Sequence, residues 1–211
     1  MAPEWRGQSM RMILTLMALL LSPLCLAQVT DLMSLQHQLA QHNIVRGEFT
    51  QQREIAMFDQ PLESSGQFVL DKKYGLLWQQ TTPFPVNLVL TEDKLQQTFA
   101  DQSPQVVTAQ DNPMAFYFTR VFLAVFHGDT AVLKQQFELS FHVENGQWVL
   151  ILTPKQAPLD KVFQRITLSG QTDIEQLTLQ ELRGDNTRIQ FHHQTHQPET
   201  LSDAEQTQFD F

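Results

Sequence analysis

The chain has 211 residues, of which 42% are hydrophobic, and its formal net charge at pH 7 is −9. This length suits one large β-rich domain or two small ones. The acidic balance makes nucleic acid and anionic membrane surfaces poor candidates for partners, because both carry negative charge themselves.

The N-terminal residues have the pattern of a secretory signal peptide. Arg6 and Arg11 supply positive charge around the start of the apolar run 12–21, and Ala27 provides a small residue just before a cleavage site. This run is too short to span a bilayer, which needs about 20 apolar residues. We therefore predict that residues 1–27 are a cleaved signal peptide ahead of a single domain. The start methionine and the exact cleavage site stay open.

Cys25 is the only cysteine of the chain, and its surroundings bear on whether the protein is attached to a membrane. A bacterial lipoprotein is acylated on a cysteine just after the apolar run. That processing requires a small residue before the cysteine, whereas Leu24 stands there. We therefore expect no acylation and a mature chain, residues 28–211, that is exported without disulfides. A membrane-attached protein acylated at Cys25 is the alternative.

The first part of the mature chain is predicted to be an amphipathic helix followed by strands. Leu32, Leu35 and Leu39 form an apolar stripe at helical spacing between Thr30 and Asn43. The segments that follow alternate apolar and polar residues, as half-buried strands do, and are separated by turn residues. The predicted strands are 47–58, 66–71, 74–80, 86–90, 94–99 and 105–109.

A strongly apolar helix is predicted in the middle of the chain, over residues 112–126. Asn112 can cap it, Pro113 lies where a missing N–H does no harm, and Gly128 ends it. One stripe of this helix consists of Met114, Phe118, Phe122 and Val125. A helix that is apolar nearly all round has to be buried, so we interpret it as a plug or lid on a sheet. An ordinary core helix is the alternative.

The second part of the chain is predicted to be a β-meander. A brief helix is expected over 130–134, Asn145-Gly146 is the strongest hairpin signal, and the polar end has a weak helical start at Ser202. The predicted strands are 137–143, 148–153, 161–168, 174–182 and 187–192. About ten strands with short connections predict an antiparallel sheet that curls on itself. Closed by helices, such a shell leaves room for an apolar cavity.

Common catalytic, phosphate-binding and metal-binding motifs are missing from the sequence. There is no Gly-x-Ser-x-Gly, no phosphate-cradling glycine loop and no His-Glu-x-x-His. His192 and His193 are expected on opposite faces of a strand, which is poor geometry for one metal ion. We therefore predict a non-enzymatic protein without a cofactor or a metal.

From Leu32 to Phe191 the order of features resembles the outer-membrane lipoprotein carrier family, LolA, whose relatives include the acceptor LolB. The motifs that carry the resemblance are the first helix with 47–51, then 66–68 and 76–78, the mid-chain helix, 148–155 and 186–191. The resemblance implies a mainly β (α+β) fold, an unclosed antiparallel β-barrel whose helices cap an apolar cavity for the acyl chains of lipoproteins. It also implies a periplasmic monomer of a Gram-negative bacterium that works between an inner-membrane donor and an outer-membrane acceptor.

Lys72 marks a departure from the family pattern. In the carrier, an arginine followed by a proline precedes the strand that ends in tryptophan and helps to hold the lid closed. The matching place here is Lys72-Lys73. Lysine lacks the guanidinium fork, so a lock built on backbone carbonyls would be weaker. Lys72 is therefore the candidate lid lock of this chain.

The resulting hypothesis is a periplasmic carrier that binds the acyl chains of lipoproteins, or of another lipid or acyl product, and moves them from the inner toward the outer membrane. The predicted cavity lining is Phe68, Leu76, Trp78, Leu88, Leu90, Met114, Phe118, Phe122, Val125, Leu139, Phe141, Trp148 and Leu150. One alternative is an interaction or sensor module with a filled core that binds a protein partner through an edge strand. A membrane-attached LolB-like acceptor is the other. The sequence does not identify the cargo, the donor or the acceptor.

Overall fold

The structure is a computed structural model that describes residues 29–100, 102–111, 116 and 123–211. The helices are α1 (Leu32–Ala40), α2 (Thr130–Gln136) and α3 (Asp203–Thr207), with a 3₁₀ turn at Leu159–Lys161. The strands are β1 (Ile44–Glu54), β2 (Leu62–Asp71), β3 (Gly75–Thr82), β4 (Val86–Leu90), β5 (Lys94–Phe99), β6 (Gln105–Thr108), β7 (Phe137–Glu144), β8 (Gln147–Pro154), β9 (Phe163–Gly170), β10 (Gln176–Glu181) and β11 (Asn186–Thr195). The predicted signal peptide lies outside the described residues. So does most of the predicted 112–126 helix, although residues 116 and 123–126 are helical.

All these strands form one eleven-stranded sheet in the order β6-β5-β4-β3-β2-β1-β11-β10-β9-β8-β7. Neighbouring strands are antiparallel throughout. Two meanders, β1–β6 and β7–β11, therefore join where β1 pairs with β11. In the described part of the chain the edge strands β6 and β7 do not pair with each other, so the sheet is not closed. The predicted fold class, an unclosed antiparallel sheet with a few helices, is confirmed.

The turn between β7 and β8 follows from its local sequence. Asn145 and Gly146 have φ values of 51° and 79°, the left-handed conformation that a two-residue hairpin turn requires. Their turn pairs Glu144 with Gln147 and joins β7 to β8, as predicted. The register of this hairpin is thereby fixed, and with it the side chains that face the core.

The inner face of the sheet is covered by helices. Asp31 caps α1 by accepting a hydrogen bond from the Ser34 N–H at 2.7 Å, and Asp129 caps α2 in the same way. The buried side chains of Leu35 in α1 and Leu133 in α2 belong to the same apolar cluster as the inner face of the sheet. The two helices therefore close the core from one side.

The outer face of the β1–β5 region is covered by the C-terminal segment, residues 198–211. Arg46 forms an ion pair with Glu205 at 2.9 Å and donates to the carbonyl oxygens of Pro198 and Thr200. Further along, Gln208 accepts hydrogen bonds from Gln79 and Asn87, and the Phe211 carbonyl accepts one from Lys94. The neighbouring outward-facing pair Leu77 and Val89 is fully buried. The segment therefore shields a second, smaller apolar patch.

Candidate functional site

The candidate site is the inner face of the sheet beneath the helices. Every predicted lining residue in the described part of the chain lies in one apolar cluster there. Six are buried, namely Phe68, Leu76, Leu90, Val125, Trp148 and Leu150. Trp78, Leu88, Leu139 and Phe141 are partly buried and pack against the others. Met114, Phe118 and Phe122 lie outside the described residues. Their common location is a fact of the fold, whereas a lining role remains a prediction.

Aromatic rings form the centre of this cluster. The ring of Phe49 stacks on Trp78 with 3.6 Å between centroids, and Phe191 packs edge-on against Phe68 at 5.1 Å and against Phe126 at 5.6 Å. Phe49 and Phe191 were missing from the predicted lining. Each stands at an apolar position between polar neighbours in a strand, so the alternation of those strands carried the signal.

Beneath α1 and α2 the described side chains pack closely. A void beneath α1 and α2 has a volume of about 10 Å³. It is enclosed by Leu35, Gln36, Leu39, Val125, Gly128, Thr130, Leu133, Trp148, Leu150, Leu168 and Ile174. A space of that size holds at most one water molecule. Binding of an acyl chain here would therefore require the helices and side chains to move apart.

Lys72 lies where the sheet meets the end of α1. Its ammonium group donates a hydrogen bond to the carbonyl oxygen of Leu39 at 3.1 Å, and its backbone N–H donates to the Asn43 carbonyl at 2.9 Å. Partial burial lowers the pKa of the Lys72 amine. Among the described residues, the side chain thus joins the β2–β3 turn to the last turn of α1 through one hydrogen bond.

The histidines of β11 depart from the prediction. His192 lies 3.1 Å from the Thr50 hydroxyl, and His193 lies 3.1 Å from the Glu48 carboxylate. Thr50 and Glu48 are two residues apart on β1 and share one face, so both imidazoles lie on that face. The prediction of opposite faces was wrong because the β1–β11 register shifts here and His193 adopts a φ of 50°.

Two general properties of the described residues bear on function. They contain no group of three or more His, Cys, Asp or Glu side chains placed to hold a metal ion. None of the helices within those ranges is long and apolar enough to cross a membrane.

Comparison with known proteins assigns the family. The family model described as outer membrane lipoprotein carrier protein LolA matches residues 40–210. The chain belongs to the LolA family. The resemblance predicted from the sequence is thereby confirmed over most of the mature chain. Membership of the LolA family supports a lipid- or lipoprotein-binding carrier role of the periplasmic kind, and the LolA description is that of a carrier and not of an enzyme.

Solved structures with similar folds are distant in sequence. A LolA superfamily protein from Nitrosomonas europaea is 9% identical with a TM-score of 0.45, and the match covers 83% of this chain and 97% of that one. A putative outer membrane lipoprotein-sorting protein domain from Vibrio parahaemolyticus is 8% identical with a TM-score of 0.48, covering 85% and 97%. The MucA/MucB complex of Pseudomonas aeruginosa gives 17% identity and a TM-score of 0.44, covering 81% and 59%. No curated protein sequence matches the chain. Assignment to the LolA family therefore rests on the family model.

Proposed function

We propose that this LolA-family protein is a periplasmic carrier that holds acyl chains between the inner face of its sheet and the covering helices. The observation that carries the proposal is the gathering of all described candidate residues into one apolar, aromatic-centred cluster beneath α1 and α2. The cargo is a lipoprotein or another lipid or acyl product, moved from an inner-membrane donor toward an outer-membrane acceptor. The mature protein begins after a cleaved signal peptide and works as a monomer without a cofactor.

The free energy gained by burying an acyl chain is large compared with that of the Lys72 hydrogen bond. Burial of an acyl chain contributes about 0.8 kcal/mol per methylene, which is roughly 10 kcal/mol for a chain of about twelve methylenes. A hydrogen bond from a charged donor contributes about 1.5–3 kcal/mol, and less where water competes for it. The single bond from Lys72 to Leu39 is therefore weak enough to yield to cargo. We propose Lys72 as the lid lock on this ground.

The test is mass spectrometry of an organic extract from the protein after purification from periplasm without detergent. A stoichiometric acylated species supports the carrier and identifies the class of cargo. An empty extract, still empty after the protein has been incubated with lipid, contradicts the carrier.

The second candidate is a periplasmic interaction or sensor module. The observation that favours it is the close packing of the described residues beneath α1 and α2, where a void of about 10 Å³ leaves no room for an acyl chain without rearrangement. The unpaired edges of β6 and β7 would then be the surfaces for a partner strand. An empty extract together with capture of a stoichiometric protein partner would support this candidate over the carrier.

The membrane-attached alternative depends on acylation of Cys25. We expect Cys25→Ser to leave the protein in the soluble periplasmic fraction, as for the wild type. Release of a previously membrane-bound protein by this substitution would support the acceptor instead.

A further inference from the structure

A pocket of about 360 Å³ opens where the β2–β3 turn meets the end of the mid-chain helix. It is lined by Lys72, Lys73, Tyr74, Gly75, Glu92, Leu123, Ala124, His127, Asp129 and Val132. The lining has a polar side and an apolar side, so the pocket as a whole is amphipathic.

The polar side of the pocket offers spare hydrogen-bond donors. Lys72 uses one of its three ammonium hydrogens on the Leu39 carbonyl and forms no ion pair in the described part of the chain. The buried Nε2 atom of His127 has no hydrogen-bond partner there either. Lys73 donates to the phenol oxygen of Tyr74 at 3.1 Å and adds a second positive charge.

The carboxylates of Asp71 and Asp129 are engaged by backbone N–H groups. Asp71 Oδ1 accepts hydrogen bonds from the backbone of the β2–β3 turn, and Asp129 Oδ1 accepts two from the first turn of α2. Glu92 is exposed in the β4–β5 turn. None of these three carboxylates forms an ion pair with Lys72 or Lys73 within the described ranges. The lining thus carries the carboxylates of Glu92 and Asp129 beside the two lysines, and within the described residues no carboxylate takes up the spare donors of Lys72.

The apolar side continues into the core. Leu123 and Ala124 are buried members of the inner-face cluster, and Val132 packs against it. An amphiphile bound here would have its polar end near Lys72 and Lys73 and the start of its chain against this apolar wall.

We infer that this pocket binds the anionic oxygen group, a carboxylate or a phosphate, at the head of an acyl cargo. The inference rests on the proposed carrier function and adds to it the charge of the cargo. The pocket combines spare donors on Lys72, the buried and unpartnered Nε2 atom of His127, and an apolar wall that belongs to the core. A neutral lipid head would leave those donors unpaired, whereas an oxyanion accepts several charge-assisted hydrogen bonds at once.

The pKa of His127 is expected to change when such an anion binds. Burial, and next to it the positive charge of Lys72, lower the pKa of His127, while Asp129 and Asp71 act in the opposite direction. A bound oxyanion beside the ring favours its protonated form and raises this pKa. Binding of the anion is then accompanied by uptake of a proton, so it strengthens as the pH falls through the His127 titration.

The experiment compares laurate with 1-dodecanol, which share a chain length and differ in the charge of the head. We expect laurate to bind the full-length protein about tenfold more tightly, as one charge-assisted hydrogen bond allows. Lys72→Met and His127→Gln should each lower the laurate-to-dodecanol affinity ratio toward one. Weakening of the lid lock changes the affinities for laurate and dodecanol alike. The ratio of the two affinities therefore reports only the contribution of the charged head group. Lys161→Met is the control, because Lys161 is exposed, pairs with Asp160 and does not line the pocket.

Failure of this inference is distinguishable from failure of the carrier. Binding of neither ligand contradicts the proposed function itself. Equal binding of both ligands by the wild type leaves the carrier intact and overturns the charged-head assignment. If a variant does not fold, the pKa of His127 is measured by NMR titration in the wild type. The charged-head assignment requires that laurate raise this pKa and that dodecanol leave it unchanged. An equal rise with acetate or inorganic phosphate alone, at the same concentration, would assign the pocket to a free anion and overturn the inference.

Discussion

Two basic residues hold chain segments against opposite faces of the same part of the sheet, and their attachments differ in strength. On the outer face, the guanidinium group of Arg46 bonds both carboxylate oxygens of Glu205, at 3.0 and 2.9 Å, and two backbone carbonyls of the C-terminal segment. On the inner face, Lys72 holds α1 by one hydrogen bond to the Leu39 carbonyl. A planar fork can saturate several acceptors at once, whereas an ammonium group on a flexible stem here reaches one.

This difference separates a permanent attachment from a releasable one. The outer segment shields Leu77 and Val89, which no ligand needs to reach, so a strong attachment stabilises the fold without obstructing function. The inner helices α1 and α2 pack on the apolar cluster and leave a void of about 10 Å³ beneath them, so they have to move if a cargo enters there. A weak polar attachment there adds little to the free energy of opening.

Of the changes considered, removal of residues 198–211 is expected to cause the largest loss of stability. It exposes Leu77 and Val89, at about 2 kcal/mol for each buried side chain, and leaves Arg46 without its acceptors. We expect the free energy of unfolding to fall by on the order of 5 kcal/mol, measured by urea denaturation. A loss below about 1 kcal/mol would show that the segment is a loose appendage and would remove the contrast between the two faces.

Arg46→Met isolates the ionic part of the outer attachment. It keeps much of the apolar stem but leaves Glu205, which is only 21% exposed, without its main partner. We expect the free energy of unfolding to fall by about 2 kcal/mol, because a hydrogen-bonded charge at a half-buried site loses its compensation. Arg53→Met is the matched control. Its contacts with Glu181 and Asp185 are longer, at 3.7 and 3.9 Å, and its side chain is 39% exposed. A control loss equal to that of Arg46→Met would contradict the special role of the Arg46 fork.

The pH dependence of stability tests the ion pair between Arg46 and Glu205. Hydrogen bonding to Arg46 lowers the pKa of Glu205 from its usual 4.5 to about 2. A depressed carboxyl pKa contributes stability that is fully present above the unfolded pKa and is lost as the pH falls through the folded one. We therefore expect the wild type to lose stability between about pH 5 and pH 2, and Glu205→Gln to flatten that part of the profile. The readout is the free energy of unfolding against pH. A profile unchanged by the substitution would falsify the assignment.

The fold was predictable from the sequence because its signals are local. Alternation placed the strands 86–90 and 94–99 with the bounds that the structure has, and Asn145-Gly146 placed a hairpin. The first strand was predicted to end at residue 58, whereas β1 ends at Glu54. The reason is pairing, since both partners of β1 end there and the following residues form a turn closed by the Phe58 N–H and the Ile55 carbonyl.

The features that the sequence did not predict depend on contacts between distant residues. The shared face of His192 and His193 follows from a register shift between β1 and β11, which no single strand encodes. Arg46 and Glu205 are 159 positions apart, so the docking of the polar C-terminal segment has no local signal. The close packing beneath α1 and α2 depends on how side chains from distant parts of the chain interdigitate. The alternation pattern indicates which side chains face inward, not how much space they leave.

Lys72→Met tests the weaker attachment, the one on the inner face, and is expected to have the smallest effect on stability. It removes one hydrogen bond between the sheet and α1, so we expect little change in global stability and a local change in opening. Amide hydrogen exchange in α1 should accelerate about fivefold, corresponding to roughly 1 kcal/mol. Lys73→Met is the matched control, since Lys73 is the neighbouring lysine and contacts the Tyr74 phenol instead of the helix. Lys72→Arg should slow the exchange if a fork can reach a further carbonyl of α1. Faster exchange in Lys73→Met than in Lys72→Met would mean that the β2–β3 turn, and not the bond to Leu39, restrains the helix.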